Sequence, residues 1–244
     1  MNRELSIVLG ILGFAVLTMV VYGVTGAHRR HDELESANRG DFVLGGFVRS
    51  WFYWFIDPLV RLALALRLSP TVFNVLGVLF GCLAGWFFVR GQVSLGGWAI
   101  LAGGAADVFD GRIARARGMA NDRGAFLDST LDRFAEVGAF VGLTVLFRDS
   151  VAGLALVTTA LGGSLLVSYA RARGESLGVL CKGGIMQRAE RILLVGFGGV
   201  FDPGLTARFG WEPGSVLLGI LALVAVGTVG TALYRTVWIA RRLS

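Results

Sequence analysis

Four aspartates fall within one stretch of the chain: Asp107, Asp110, Asp128 and Asp132. Asp107 and Asp110 are spaced i, i+3, and Asp128 and Asp132 are spaced i, i+4, so on helices each pair shares a face. The stretch between them, residues 117–122, is short and polar. It makes the two carrying helices antiparallel neighbours and gathers the four carboxylates near one end of the pair. Carboxylates this close repel one another and resist losing their water. A divalent cation supplies the missing charge, and hard oxygen ligands select Mg2+ or Mn2+ over zinc. Two ions bridged by shared aspartates suit phosphoryl chemistry. The competing reading is a structural salt-bridge network with Arg112, Arg115, Arg117, Arg123 and Arg133. Four acids at this spacing, flanked by the small residues Gly111, Ala114 and Gly124, weigh for function. Small residues let a nucleotide lie against the helix backbone without meeting a Cβ. Their other use is close helix packing, which is the reading given to Gly103, Gly104, Ala105 and Ala106.

The elements that must hold these acids are set by composition. The 244 residues are 55% hydrophobic and 16% charged, with a mean hydropathy of +0.68. Water-soluble domains are about one quarter charged, so this chain belongs in a membrane as an all-α protein. A span needs about 20 apolar residues, which gives about six or seven spans. Residues 5–27 form the first, followed by a polar stretch at 28–41 whose His28 and His31 read as solvated. Residues 42–68 are rich in aromatics but broken by Arg49, Asp57, Pro58, Arg61 and Arg67. Charges at that density are costly inside a bilayer, so an amphipathic helix in the interface fits better. After Ser69-Pro70, spans are expected at about 71–89, 94–116, 123–147, 151–172, 188–200 and 213–239. The span at 188–200 is short in apolar length and extends into Phe201 or begins near Ile185. The fold class is therefore a six-helix transmembrane core, preceded by an interfacial helix and one extra N-terminal transmembrane helix. Residues 1–41 form an anchor and juxtamembrane segment, and residues 42–244 the membrane domain. The 36 glycines suit helices that approach closely in lipid.

Charge orients the chain. With the N-terminus outside, Arg3, Arg90, Arg148 and Arg208 face out, and the other 19 of the 23 basic residues fall on the cytoplasmic side. Cleavage after residue 27 would leave Arg29 and Arg30 outside, so residues 1–27 read as a retained anchor and not a signal peptide. The net charge of +6 sits beside apolar spans with no aromatic-interleaved basic groove, which excludes nucleic acid and points to membrane lipid and phosphorylated substrates. Cys82 falls in a span and Cys181 in a polar loop, so no disulfide joins them.

The pattern D-x2-D-G-x2-A-R-x8-G-x3-D-x3-D over residues 107–132 resembles the signature of the CDP-alcohol phosphotransferases, with all eight fixed positions present. The resemblance extends over about residues 43–240 and leaves out the first helix. It implies that Asp107, Asp110 and Asp128 hold metal, and that Asp132 is the fourth acid, touching metal and serving as general base. It also implies that Gly111, Ala114, Arg115 and Gly124 form the nucleotide pocket, with Asp107 and Asp110 close to the CDP. The implied reaction is attack by an acceptor hydroxyl on the phosphate that carries the lipid of CDP-diacylglycerol or a similar CDP-lipid, with CMP leaving. The resemblance further implies a homodimer working in phospholipid biosynthesis; with the charge pattern, the expectation is a multi-pass protein of the cell inner membrane whose active site faces the cytoplasm.

Three stretches resemble the phosphatidylinositol phosphate synthase branch: Asp128-Ser129-Thr130-Leu131-Asp132-Arg133, Ser168-Tyr169-Ala170-Arg171-Ala172-Arg173 and Arg188-Ala189-Glu190-Arg191. Arg188 and Arg191, at i and i+3, can reach one phosphate. With Arg133, Arg171 and Lys182 they form the implied site for the phosphate of inositol phosphate. Gly174 and Gln187 depart from the branch pattern, which keeps glycerol phosphate, serine or another polyol open as acceptor. From other functional classes, a divalent-cation transporter has no need of the nucleotide-type spacing, and an inactive scaffold has no need of an intact acid set. Asn74 and Glu136 are lesser candidates, the first for touching substrate and the second for tuning the site or pairing with Arg133.

Overall fold

The computed structural model describes residues 3–25, 45–119 and 121–243, and among them every regular element is a helix. These are α1 (Arg3–Val24), α2 (Gly45–Ala65), α3 (Pro70–Val89), α4 (Val93–Ala116), α5 (Asp122–Leu146), α6 (Val151–Ser176), α7 (Arg188–Phe209) and α8 (Ser215–Leu243). The chain divides into two compact units, Met1–Leu68 and Ser69–Ser244. The polar stretch at 28–41, with His28 and His31, and the boundary expected between residues 41 and 42 lie outside the described residues.

In the first unit α1 and α2 pack through aromatic rings. Tyr22 lies 5.6 Å from Phe47 and 5.5 Å from Trp54, and Phe14 lies 6.2 Å from Phe55. Trp51 Nε1 donates to Thr18 Oγ1 at 3.2 Å. Two of the charges in α2 pair along the helix, Arg61 with Asp57 at 2.8 Å.

The second unit holds α3 to α8. Four of these, α3, α6, α7 and α8, are long and apolar enough to cross a membrane. In α1 the described apolar stretch, Gly13–Val24, is shorter. Large apolar side chains lie outward as well as inward: Leu79, Trp86, Leu166, Val226 and Leu233 are all exposed. That pattern suits lipid as the surrounding solvent. Local signals start and stop the helices where the sequence suggests. Pro70 opens α3, where a missing N–H costs nothing. Asn121 caps α5 by accepting the Gly124 N–H at 2.8 Å, and Ser150 caps α6 through Gly153 at 3.0 Å.

Two expectations change. The span at 188–200 runs on through Phe201 and Pro203 to Phe209, and ends at Gly210, whose φ is 69°. The residue that breaks its apolar run, Asp202, is buried and never meets lipid. It accepts the Gly214 N–H at 2.8 Å and the Leu217 N–H at 3.0 Å, and so caps the start of α8. Second, α4 and α5 are not close neighbours along their length. They touch little, and α3 packs extensively against both. Glycine makes this fit: a Cβ on Gly81 would strike the backbone of Ala135, and one on Gly85 the carbonyl of Gly138. Facing carboxylates cannot interdigitate as apolar side chains do, so α4 and α5 stay apart and α3 fills the angle between them. On its other side α4 packs on α7, where Gly97 lies against Gly196 and Gly199, and α8 packs on α6 and α7.

Candidate active site

Asp107 and Asp110 stand in the last part of α4, and Asp128 and Asp132 in the first part of α5. One oxygen from each of Asp107, Asp110 and Asp128 lies within 4.8 Å of the others. Ligand oxygens around a Mg2+-sized ion, at about 2.1 Å from it, lie about 3–4 Å apart, so small side-chain movements close this set on one cation. The donors are all carboxylate, as a hard cation requires. Asp110 is the most deeply buried of the three.

Asp132 is engaged differently. Its Oδ1 lies 2.6 Å from Arg188 Nη2, and its Oδ2 3.7 Å from Arg133 Nη2. Arg188 Nη1 also meets Asp107 Oδ2 at 2.8 Å. One guanidinium therefore ties an acid of α4 to an acid of α5, and it comes from the first residue of α7. Asn74, Phe73 and Gly77 of α3 line a small cavity with Asp107, Asp110 and Asp132. This places Asn74, a lesser candidate from the sequence, beside the acids. Phe73 stacks on Phe109 of α4, with centroids 5.3 Å apart.

The small residues continue the acid-bearing faces. Asp107, Gly111 and Ala114 follow at i, i+4 and i+7 on α4, and Gly124, Asp128 and Asp132 at i, i+4 and i+8 on α5. Gly124 is exposed, and a Cβ there would meet only its own cap, Asn121, at 3.4 Å. The space over this turn is open. Arg115 is exposed at the end of α4.

The acceptor candidates separate into two groups. Arg133, Arg188 and Arg191 converge around Glu136. Arg191 is 3% exposed and pairs through Nε to Glu136 Oε1 at 3.0 Å and through Nη2 to Oε2 at 3.3 Å. Arg133 reaches Glu136 Oε2 at 3.5 Å and donates to Ser168 of α6. Arg171 instead pairs along α6 with Glu175 at 2.8 Å, and both are exposed. Lys182 is half-buried in the segment between α6 and α7. Glu136 thus does more than pair with Arg133: it is the carboxylate on which two arginines from different helices are seated. Three polar residues escaped the sequence reading. Ser168 stands out in the sequence only as part of a motif. Arg235 and Thr231 of α8 are buried, and a charge in so apolar a stretch is the available signal.

The chain is similar to known proteins over most of its length. The family model described as CDP-alcohol phosphatidyltransferase matches residues 67–203. An archaetidylinositol phosphate synthase of Methanothermobacter thermautotrophicus is 35% identical over 189 residues, covering 78% of this chain and 90% of that protein. A phosphatidylinositol phosphate synthase of Streptomyces avermitilis is 33% identical over 214 residues, covering 83% and 84%. Among solved structures, the Mycobacterium tuberculosis phosphatidylinositol phosphate synthase with CDP-DAG bound is similar at a TM-score of 0.64 and 30% identity, over 74% of this chain and 92% of that one. The same enzyme in complex with manganese and citrate gives a TM-score of 0.65, over 74% and 88%. With its matched region spanning the acid-bearing helices and the arginines of α7, this chain belongs to the CDP-alcohol phosphatidyltransferase family and is an enzyme of that class.

Proposed function

We propose that the chain transfers the phosphatidyl group of CDP-diacylglycerol, or of a similar CDP-lipid, to a hydroxyl of inositol phosphate and releases CMP. The observation that carries this reading is the junction of two clusters. The carboxylates of Asp107, Asp110 and Asp128 lie next to three arginines, Arg133, Arg188 and Arg191, and Arg188 touches acids of both helices. An acid cluster serves the pyrophosphate through cations, and an arginine cluster serves a second, phosphorylated substrate. The names of both relatives share the inositol phosphate head group, which supports the same acceptor here.

In this reading Asp107, Asp110 and Asp128, joined by Asp132, hold Mg2+ or Mn2+, two ions per site. When bound, the cations neutralise the pyrophosphate and stabilise the departing CMP phosphate. Gly111, Ala114, Arg115 and Gly124 accept the nucleotide over the open turn at the start of α5. The acceptor oxygen bonds to the phosphorus that bears the lipid, and the bond from that phosphorus to the bridging oxygen breaks. CMP keeps that oxygen and its electron pair. Asp132 takes the hydroxyl proton, with Arg188 holding its carboxylate in place. Arg188 and Arg191 face the acceptor phosphate, with Arg133, Arg171 and Lys182 adding charge. The reading includes a six-span core behind an N-terminal anchor at residues 1–41, a homodimer, and an inner-membrane location with the site facing the cytoplasm.

CMP release by purified protein from CDP-diacylglycerol tests it, with Mg2+ or Mn2+ and separately with inositol phosphate, glycerol phosphate, serine and inositol. Release that requires metal and inositol phosphate is the expected result. Release with another acceptor alone would reassign the arginine cluster, and no release with any of the four would overturn the reading.

A further inference from the structure

Two demands fall on Arg188. Its Nη1 holds Asp107 Oδ2 at 2.8 Å, and its Nη2 holds Asp132 Oδ1 at 2.6 Å. The function proposed above gives Asp107 to a divalent cation and Arg188 to the acceptor phosphate. Both terminal nitrogens of the guanidinium are committed to carboxylates, and a forked grip on a phosphate needs one of them back. The two bonds are not equivalent. Asp107 groups with Asp110 and Asp128, one oxygen of each lying within 4.8 Å of the others. Asp132 is braced from another side by Arg133 Nη2 at 3.7 Å. A guanidinium and a divalent ion on one carboxylate repel each other, and in a partly buried site little water screens that repulsion. With a cation among the three aspartates, the bond to Asp107 is the one that weakens and the bond to Asp132 the one that lasts.

The surroundings leave the side chain room to turn. A cavity of about 60 Å3 lies beside Arg188, lined also by Glu136, Arg191 and Gly104. It has space for several water-sized groups. Arg133 and Arg191 are seated on Glu136, whereas the bonds of Arg188 go to the aspartates. Charge gives the movement a direction. Asp107, Asp110, Asp128, Asp132 and Glu136 outnumber Arg133, Arg188 and Arg191. With all of them ionised the junction is net negative and repels a phosphate. A divalent cation on the acids removes that repulsion and loosens Arg188 from Asp107 in the same event.

We propose that Arg188 couples the cation site to the acceptor site by exchanging partners: it keeps Asp132, gives up Asp107 when a cation is bound among Asp107, Asp110 and Asp128, and turns the freed Nη1 to the acceptor phosphate. This exchange rests on the function proposed above and adds an order to it. The acceptor binds tightly only to cation-loaded protein, and its phosphate is then tied to the residue that holds Asp132.

Mn2+ binding, followed by the electron paramagnetic resonance signal of the free ion, tests this without turnover. The parent protein is titrated in detergent with no CDP-lipid, and Mn2+ bound by inositol phosphate itself is subtracted from a protein-free blank. Saturating inositol phosphate should tighten Mn2+ binding about tenfold, and Mn2+ should tighten the binding of radiolabelled inositol phosphate by the same factor. Arg188→Gln removes the competing charge. At an unchanged elution profile it should bind Mn2+ several-fold more tightly than the parent without acceptor, and inositol phosphate should no longer change that affinity. Arg188→Lys keeps the charge without the fork and should show a coupling between the two. Weaker Mn2+ binding by Arg188→Gln would overturn the exchange, because the Arg188–Asp107 pair would then be a brace for the cation site. A parent whose Mn2+ affinity ignores the acceptor would overturn it without any variant. So would a coupling that survives in Arg188→Gln, since the phosphate would then be meeting the cation directly. A parent that binds no inositol phosphate even with Mn2+ would sink the proposed acceptor and the exchange with it, while tighter Mn2+ binding by Arg188→Gln would still show Arg188 competing for Asp107.

Discussion

Arg188 is the residue at which the two clusters of the site meet, and its contacts show why the acids are not interchangeable. Asp110 and Asp128 group with Asp107, whereas Asp132 is held by arginines of two helices. Asp107, Asp110 or Asp128 changed to Asn should each lower metal-dependent CMP release by at least about 100-fold and raise the metal concentration needed, because a neutral amide cannot replace a carboxylate opposite a divalent ion. Asp132→Asn should abolish turnover yet leave CDP-lipid binding intact, measured by equilibrium binding of the radiolabelled lipid. A near-normal rate in that variant would remove the base assignment. The acids were legible from spacing because helix periodicity alone gathers them on two faces. The partner of Arg191 was not legible. Glu136 lies 55 positions away in the chain, and what joins them is the reach of a long guanidinium from α7 to a carboxylate of α5. Arg235 was visible as a charge in an apolar stretch, but its acceptors are backbone carbonyls, which leave no mark in a sequence.

At the scale of helices, the lengths of apolar runs located nearly every element, with α3, α4 and α5 beginning and ending close to the expected residues. The exception is instructive. The apolar count stopped α7 at Val200 because Asp202 and Pro203 follow, but Asp202 is turned inward to cap α8, and its charge is satisfied by backbone N–H groups. Hydropathy weighs a residue without knowing which way it faces. The same blindness hid the wedge of α3. A run of glycine reads as close packing without naming the partner, and adjacency in sequence suggested α4 with α5. The backbone of Gly85 meets those of Gly138 and Gly142 so closely that a Cβ on Gly85 or Gly142 would collide. Gly85→Val should therefore push α3 off α5, lowering the melting temperature by an amount equivalent to about 1–3 kcal/mol and reducing CMP release as the acids lose alignment. Gly219→Ala is the control: a Cβ there meets nothing within 4 Å, so it should leave both measurements near the parent values. Equal behaviour of the two variants would mean that the close approach does not position the site.

For the whole molecule, the distribution of charge and the placement of the site point to the same side. Arg90, Arg148 and Arg208 lie at or beside the α3–α4, α5–α6 and α7–α8 connections, while Arg112, Arg115, Arg117 and Arg123 gather about the α4–α5 connection and Arg171, Arg173, Lys182 and Arg188 about the α6–α7 connection. Because Arg188 touches Asp107 and Asp132, the second group of connections lies at the end of the bundle where the acids are. Basic residues concentrate on the cytoplasmic side of membrane proteins, so the acid end should face the cytoplasm, where water-soluble inositol phosphate and CMP can enter and leave. The first unit of the chain does not alter this argument, since the family match begins at residue 67. Single cysteines placed in a cysteine-free chain test the orientation in intact cells with a membrane-impermeant maleimide. Arg90→Cys and Arg148→Cys, both at exposed positions, should be labelled from outside, and Met119→Cys, exposed beside the acid end, only after the cells are opened. Labelling of Met119→Cys in intact cells would invert the chain. The aspartates and arginines would then open to the outside, away from any cytoplasmic supply of phosphorylated acceptor, and the charge asymmetry would need a cause other than topology.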